Sequence, residues 1–271
     1  MSYKTLNVET KDNRIAILTM NRVKEMNCLN MDLVEEMNEV LYKLRFDVRN
    51  RVIVITGRGE AFSCGADLKM RIKQSYIQGI HFLIKVQDLF SLIEELEKPV
   101  IAAINGYALG GGCEMALASD FRIMSDTATL GLPEVHLGAI PGAGGVNRLA
   151  RFVGKGKATE LILLGTHLNA EETDKLGLLH KKVPPADLMA ATMELAQKLS
   201  KMSPIALAYN KRCINVAMDV DMKNSLRFSL DAMALTNAFA DKAEGVKAFL
   251  EKREPRFPGF ATRSKPKGSL S

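Results

Sequence analysis

Residues 105–120 of the chain, NGYALGGGCEMALASD, join a run of glycines to the start of an apolar helical pattern. Glycine has no Cβ and tolerates positive φ, so the run lets the backbone approach a ligand closely. The helix that follows places free N–H groups and the positive end of its dipole at the same point. Such a point stabilises a negative charge, and Glu114 lies just beyond the glycines. The pattern therefore predicts chemistry on a carbonyl compound.

A second stretch, residues 132–145, reads LPEVHLGAIPGAGG and supplies another glutamate, Glu134. Taken alone, Glu114 in a helical first turn is typical of a residue that stabilises the helix dipole. Glu134, which follows Pro133, is by itself typical of a loop. His136 lies two residues further and suggests a catalytic dyad, against the simpler interpretation of a structural histidine. The residues alone leave both kinds of role open.

A third stretch, residues 57–69, reads GRGEAFSCGADLK and follows the strand pattern VIVIT. A loop that leaves the end of a buried strand and enters a helix is a common ligand-binding site in α/β proteins. An oxyanion hole needs two N–H donors directed at one oxygen, and two strand-loop-helix units can supply one donor each. Asp67 in this loop is a candidate base, but it is better explained as the cap of a helix that begins at Leu68.

The chain is α/β for about two hundred residues and nearly all helical beyond them. Strands are predicted where β-branched residues cluster, at residues 14–20, 52–56, 100–104 and 121–124. Apolar residues at helical spacing predict a helix after an Asn30 cap and others at residues 144–153, 158–164, 186–202, 205–218, 222–236 and 243–252. The predicted organisation is a core that contains the active site at 1–200, a helical region at 201–253 and a basic, flexible tail at 254–271.

Composition describes an ordinary soluble globular protein: 271 residues, 47% of them hydrophobic, with a mean hydropathy of -0.01. No run of 18 or more apolar residues indicates a membrane span. The N-terminal residues lack a signal or transit pattern, so the cytoplasm is the expected location. The cysteines are far apart, which predicts reduced thiols and no zinc site. They are Cys28, Cys64, Cys113 and Cys213.

The net charge of +6 is concentrated at one end of the chain. Between Lys252 and Ser271, six basic residues and one acidic residue account for +5 of it. A folded nucleic-acid-binding surface should instead carry its basic stripe within the domain. A nucleic-acid partner is therefore not expected, although the tail could touch an anionic ligand.

Together these residues closely resemble the enoyl-CoA hydratase/isomerase (crotonase) superfamily. The resemblance extends from residue 17 to residue 253, and the block 106–149 is its most specific part. It implies an α/β fold, a crotonase-like spiral of ββα units with a C-terminal helical trimerisation region in residues 201–253. It also implies a homo-oligomer, either a trimer or a dimer of trimers. The substrate would be an acyl-CoA thioester, with no metal, no redox cofactor and no membrane partner.

The resemblance also implies roles for individual residues. The backbone N–H groups of Ala66 and Gly111 correspond to the family's oxyanion donors, and Glu114 and Glu134 to its acid/base carboxylates. The presence of both carboxylates favours an enoyl-CoA hydratase, because hydration removes one proton from water and delivers another to carbon. No histidine matches a catalytic position of the family. The small side chains of Cys64 and Cys113 are expected to be structural rather than nucleophilic.

The expected coenzyme A contacts lie on three segments of the chain. They are Lys24, Met26, Cys64, Ala66, Asp67, Leu68, Lys69 and Gly111. Residues 21–27, NRVKEMN, depart from the family's usual pattern at Val23, Glu25 and Met26. Lys24 is the candidate for a phosphate contact, with the Met26 backbone meeting the ligand.

Several alternatives share these features. The family also contains double-bond isomerases, cyclic enoyl- or dienoyl-CoA hydratases, thioester hydrolases and RNA-binding homologues. Residues 70–89 correspond to the variable acyl site and leave the acyl group open. They carry Tyr76, Ile77, Ile80, Phe82 and Leu83. Leu132, just before Pro133 and Glu134, lies where many hydratases have another residue, which leaves room for a specialised substrate.

Overall fold

The computed structural model describes residues 3–12 and 14–261, and these residues form ten strands and ten α-helices. Strands β1 to β10 are Leu6–Lys11, Ile15–Met20, Val52–Gly57, Ala61–Ser63, Val100–Ile104, Tyr107–Leu109, Phe121–Ser125, Thr129–Gly131, His167–Asn169 and Lys181–Val183. Helices α1 to α10 are Met31–Phe46, Leu68–Arg71, Tyr76–Glu95, Gly111–Ala118, Gly145–Leu163, Ala170–Lys175, Leu188–Ser200, Pro204–Asp219, Met222–Thr236 and Ala240–Leu250. Short 3-10 helices lie at Val23–Glu25, Glu134–Leu137, Pro185–Asp187 and Gly259–Ala261.

Six strands form a large sheet in the order β1-β2-β3-β5-β7-β10, which is parallel except for β1. Both faces of its central strands β2, β3 and β5 are buried. In β3, Val52 and Val54 pack in the apolar cluster that includes α7, while Ile53 and Ile55 pack in the cluster that includes α1. Burial on both faces explains why such a strand appears in the sequence as an uninterrupted apolar run. The four strands predicted from the sequence all belong to this sheet.

A smaller sheet has the order β4-β6-β8-β9. Its strands β4, β6 and β8 are parallel neighbours of three residues each. Residues 64–67 follow β4 directly, residues 110–111 follow β6, and residues 132–134 follow β8. The carboxyl ends of parallel strands meet at the same edge of a sheet, where α/β proteins bind their ligands. All three sequence stretches therefore converge on one edge.

The helices predicted from the sequence are present, whereas α3 and α6 were not among them. Asn30 caps α1 as predicted, and its side chain accepts a hydrogen bond of 3.0 Å from Leu33 N. The two helices predicted at 144–153 and 158–164 are confirmed as the two parts of α5, which are separated at Gly154, where φ is 76° and the backbone is not helical. Only the backbone of a glycine adopts this left-handed conformation at little cost, so the interruption follows from the residue type.

The C-terminal helices are attached to the sheet by buried polar contacts. Lys211 Nζ on α8 donates to Asp120 Oδ2 at 2.7 Å, next to the end of α4. The first part of the predicted tail also lies against the body of the protein. There Phe257 O accepts from Arg51 Nη2 at 2.7 Å, and Gly259 N donates to the carboxylate of Asp241 at 2.8 Å. Residues 262–271 of the tail lie outside the described residues, and the three predicted boundaries stay predictions.

Candidate active site

Two loops of the small sheet touch at Gly65 and Gly110. Gly65 has a φ of 83°, and a Cβ on it would lie 2.9 Å from Leu109 O and 3.0 Å from Gly111 N. Gly110 has a φ of 53° and is the N-cap residue that precedes α4. Because a side chain at Gly65 would collide with the backbone of the other loop, glycine is required for this contact.

The N–H groups of Ala66 and Gly111 lie close together at this contact. A Cβ built on Gly111 would lie 3.9 Å from Ala66 N. Gly111 is the first residue of α4, so its N–H has no partner within the helix. Within residues 3–12 and 14–261, neither N–H donates a hydrogen bond. Two neighbouring donors of this kind can bind one oxygen atom.

The Ala66 peptide is fixed by its neighbours on either side. Gly65 O accepts from Leu29 N at 2.7 Å, and Asp67 N donates to Leu29 O at 2.9 Å. The Asp67 carboxylate accepts from Met70 N at 3.2 Å, so its predicted role as the cap of α2 is confirmed. Arg22 also forms an ion pair of 2.9 Å with Asp67 and donates to Cys28 O. Arg22 was not predicted from the sequence, because its partner Asp67 is distant in the chain.

Glu114 lies in the first turn of α4 and is almost fully buried, with 4% of its surface exposed. Its Oε1 accepts hydrogen bonds from Ala143 N and Gly145 N, each at 2.8 Å. Burial raises the pKa of Glu114, while the two N–H groups and the positive charge of Arg148 oppose that rise. Hydrogen bonds to a carboxylate favour its ionised form. The loop at residues 142–145 therefore supplies hydrogen-bond donors that favour the ionised form of Glu114.

Glu134 begins the 3-10 helix that follows β8, and its carboxyl group has different surroundings. Oε1 lies 3.0 Å from the position that a Cβ on Gly110 would occupy. Oε2 is buried and, within the described part of the chain, has no hydrogen-bond partner. Burial and, to a smaller extent, the negative charge of Glu114 raise the pKa of Glu134 to about 7. Glu134 therefore holds a proton at pH values where an ordinary glutamate has lost it.

The loop before α1 carries the predicted coenzyme A contacts at Lys24 and Met26. Met26 N donates to Val23 O and Met26 O accepts from Cys64 N, each at 3.1 Å. The Met26 backbone thus links this loop to the segment that carries the Ala66 N–H. Lys24 is exposed on the same loop, and Leu68 and Lys69 are exposed on α2. The structure therefore joins the predicted segments through backbone contacts and leaves three predicted side chains at the surface.

Among the described residues, no hydrogen bond joins His136 to Cys64 or Cys113. His136 packs against Gly165, where an added Cβ would lie 2.6 Å from its Nε2. Burial raises the pKa of the Cys113 thiol, and burial also raises the pKa of the Cys64 thiol. A raised thiol pKa disfavours the reactive thiolate. These observations support the structural interpretation of all three residues.

Residues 70–89, which were predicted to line the acyl site, span the end of α2 and most of α3. Phe82 is buried in the core, whereas Tyr76 and Ile77 are exposed. Leu83 lies next to the loop that holds Glu114: a Cβ built on Gly142 of that loop would lie 3.0 Å from Leu83 Cδ1. Of these predicted residues, Leu83 thus approaches the site from α3, and Tyr76 and Ile77 face the surface.

Within 3–12 and 14–261, no helix combines the length and apolar character needed to cross a membrane. The same residues contain no group of three or more His, Cys, Asp or Glu side chains placed to bind a metal ion. The cytoplasmic location and the absence of a cofactor stay predictions.

Comparison with known proteins identifies the family. A family model described as enoyl-CoA hydratase/isomerase matches residues 10–260. The chain belongs to this family. It is 40% identical to a short-chain-enoyl-CoA hydratase of Clostridium acetobutylicum, over 93% of this chain and 97% of that protein. It is 39% identical to a crotonyl-CoA hydratase of Syntrophomonas wolfei, over 95% of this chain and 99% of that protein.

The fold comparison agrees with the sequence comparison. The crystal structure of an enoyl-CoA hydratase from Bacillus anthracis superimposes with a TM-score of 0.92. It is 38% identical, and the match covers 94% of this chain and all of that one. The predicted crotonase-like α/β fold is therefore confirmed for this member of the enoyl-CoA hydratase/isomerase family.

Proposed function

We propose that this protein adds water across the 2,3 double bond of an enoyl-CoA thioester and that Glu114 and Glu134 are its catalytic pair. The hydratase function predicted from the sequence is confirmed by the hydratases to which the chain is 40% and 39% identical. The assignment of the two glutamates rests on their surroundings. Glu114 accepts two N–H hydrogen bonds, whereas Glu134 has a buried oxygen that lacks a partner among the described residues.

That difference supports a division of labour between base and acid. Glu114, as the ionised partner, takes a proton from water while the water oxygen bonds to C3. The electrons of the double bond move towards the thioester and form an enolate. Glu134, as the protonated partner, delivers its proton to C2. One proton has then passed from Glu134 to the product and one from water to Glu114, so the enzyme is restored when Glu114 releases its proton and Glu134 takes one up.

The enolate oxygen is the negative charge that the active site must stabilise. In this proposal, the N–H groups of Ala66 and Gly111 donate to that oxygen and form the oxyanion hole. Their support is that they lie close together and donate no hydrogen bond within the described residues. The loss of one oxyanion donor typically lowers the rate by about 10²–10³-fold. These donors belong to the backbone, so a side-chain substitution removes neither of them directly.

Coenzyme A belongs to the substrate, and the proposed reaction needs no further cofactor. We assign its contacts to Lys24, the Met26 backbone and the segment from Cys64 to Lys69. The support is the exposure of Lys24 on the loop before α1 and of Lys69 on α2, just after Ala66. A lysine ammonium on either loop can pair with a phosphate group as a point charge.

We also propose a homo-oligomer built through the C-terminal helices. Large apolar side chains are exposed there on α8, α9 and α10, and exposed apolar patches mark interaction surfaces. They include Ile214, Met222, Leu226, Leu230 and Phe249. Sedimentation should give a mass three or six times that of the 29.8 kDa chain. A monomer at micromolar concentration contradicts this assignment.

The activity is tested by the hydration of crotonyl-CoA, followed as loss of the conjugated thioester absorbance. We expect wild-type hydration, with losses of about 10²–10⁴-fold in Glu114→Gln and in Glu134→Gln. Glu35→Gln, on the exposed face of α1, is the matched control and should keep full activity. Full activity in Glu114→Gln contradicts its role as base. Binding of enoyl-CoA without hydration, together with a shifted double bond in the product, would favour an isomerase.

A further inference from the structure

The loop at residues 142–145 is held by side chains that the reaction described above does not use. Gln87 Nε2 on α3 donates to Gly142 O at 2.7 Å. Arg148 Nη1 on α5 donates to Ala143 O at 3.0 Å. The N–H groups of Ala143 and Gly145, in the same loop, hold Glu114. The peptides that position the carboxylate are therefore themselves positioned by side chains of two helices.

Arg148 reaches this loop by folding back over Gly144. Gly144 has a φ of 100°, and a Cβ there would overlap Arg148 Nη1. The guanidinium is also fixed from the other side, because its Nε and Nη2 donate to Glu94 Oε2 at 3.1 and 2.6 Å. Only 11% of the Arg148 side chain is exposed. A buried arginine with a carboxylate partner and a carbonyl partner has little freedom to move.

The charged and titratable groups around Glu114 come from several elements. Cys113 is its neighbour on α4, and Glu134 faces it from the 3-10 helix. Arg148 of α5 acts on Glu114 as the positive group, and Glu94 of α3 is the negative partner of Arg148. Glu94 is 37% exposed, so solvent screens its charge more than that of Arg148. A positive charge close to a buried carboxylate favours the ionised form.

We propose that Arg148 is a positioning residue for Glu114: paired with Glu94, it fixes the loop that donates two hydrogen bonds to the Glu114 carboxylate and supplies the positive charge that balances it. This inference rests on the proposed role of Glu114 as the base. It gives the Arg148–Glu94 ion pair a function in the hydration reaction, in addition to the functions of the oxyanion donors and the two glutamates.

The test compares variants that change the charge next to Glu114 in opposite directions. Arg148→Gln removes the positive charge, so the acidic limb of the profile of kcat/KM against pH should move up by about one pH unit. Glu94→Gln keeps Arg148 and removes its negative partner, so the same limb should move to lower pH. Arg148→Lys keeps the positive charge but cannot bond to Ala143 O and to the Glu94 carboxylate as the guanidinium does. We therefore expect kcat to fall while the acidic limb stays at the same pH.

Arg151→Gln is the matched control. Arg151 lies on the same helix and pairs with Asp219, and 49% of its side chain is exposed. Its loss removes one positive charge from α5 without changing the contacts of Glu114, so the limb should not move. Equal losses of activity at every pH in Arg148→Gln and Glu94→Gln, without opposite shifts, would overturn the proposal and leave the pair a structural role.

A second readout separates this proposal from the proposed reaction. An infrared titration follows the protonated carboxyl band that disappears in Glu114→Gln, and it needs no catalysis. The midpoint of this band should rise in Arg148→Gln and fall in Glu94→Gln, even if the protein fails to hydrate crotonyl-CoA. Midpoints unchanged in both variants contradict the role of Arg148, whatever the activity of the wild type.

Discussion

Glu114 and Glu134 are the same residue type at the same edge of the small sheet, yet their surroundings differ. Glu114 is held by two backbone N–H groups and faces the positive charge of Arg148. Glu134 has a buried oxygen without a partner in the described chain, and its pKa is raised to about 7. In the proposed mechanism this difference makes Glu114 the base and Glu134 the acid, because hydrogen bonds to a carboxylate favour its ionised form.

The largest expected effect is on how activity depends on pH in the two glutamine variants. Glutamine cannot donate a proton to C2, so Glu134→Gln should be about 10²–10⁴-fold slower than wild type at pH 6. The ratio of the wild-type rate to the Glu134→Gln rate should decrease as the pH rises above 7, because wild-type Glu134 then loses its proton. For Glu114→Gln, the ratio of the wild-type rate to the variant rate should decrease at low pH instead. Profiles of kcat/KM from pH 5 to 9 check this prediction. The same trend in both variants would contradict the proposed difference between Glu114 and Glu134.

The two sites should also differ in what a truncation costs in stability. Glu114→Ala leaves the N–H groups of Ala143 and Gly145 without their acceptor, so it should lower the free energy of unfolding by about 2 kcal/mol. Glu134→Ala removes no hydrogen bond from Oε2 and should cost less. Urea unfolding at one fixed protein concentration measures both, since association affects apparent stability. Equal costs would show that the hydrogen bonds of Glu114 do not distinguish the sites.

Two glycines allow each carboxyl group to be displaced separately. A Cβ on Gly145 would lie 2.9 Å from Glu114 Cγ, so Gly145→Ala should move the base and lower kcat about tenfold. A Cβ on Gly110 would lie 3.0 Å from Glu134 Oε1, and its φ of 53° adds backbone strain, so Gly110→Ala should affect the acid and the stability together. Steady-state kinetics and thermal unfolding separate these outcomes.

The control for the glycine variants is Gly156→Ala on α5, where an added Cβ meets nothing within 4 Å. It should keep the wild-type kcat. If Gly145→Ala did so as well, the contact between Gly145 and Glu114 would have no bearing on catalysis.

The smallest effect is on the pH dependence of stability. The pKa of Glu134 is raised in the folded state, so the native protein binds more protons than the unfolded chain between the ordinary glutamate pKa and about pH 7. Its contribution to stability is therefore present below that range and is lost as the pH rises through 7. Relative to Glu134→Gln, the wild type should lose about 1 kcal/mol between pH 4 and pH 8, allowing for partial solvent screening. Unfolding midpoints at both pH values check this, and parallel curves contradict it.

The sequence predicted the large sheet and the glutamates but missed how the site is assembled. Strands such as Val52–Gly57 are long apolar runs that a pattern detects. The strands Ala61–Ser63 and Thr129–Gly131 have three residues each, too few for any periodicity, although they bring the loops of the candidate site together. The partners of Glu114 are distant in sequence, because Arg148 and the loop at 142–145 come from another element. Contacts of this kind arise from tertiary packing and leave no local signal.

The central claim is that one proton of the carboxyl pair resides mainly on Glu134 at neutral pH, while Glu114 is ionised. An infrared titration of wild type and both glutamine variants tests it directly, because a coupled pair must be assigned by removing each member. The account predicts that a protonated carboxyl band present at pH 6 disappears in Glu134→Gln and persists in an Arg151→Gln control. A band at pH 6 that instead disappears in Glu114→Gln and persists in Glu134→Gln would contradict the assignment of acid and base.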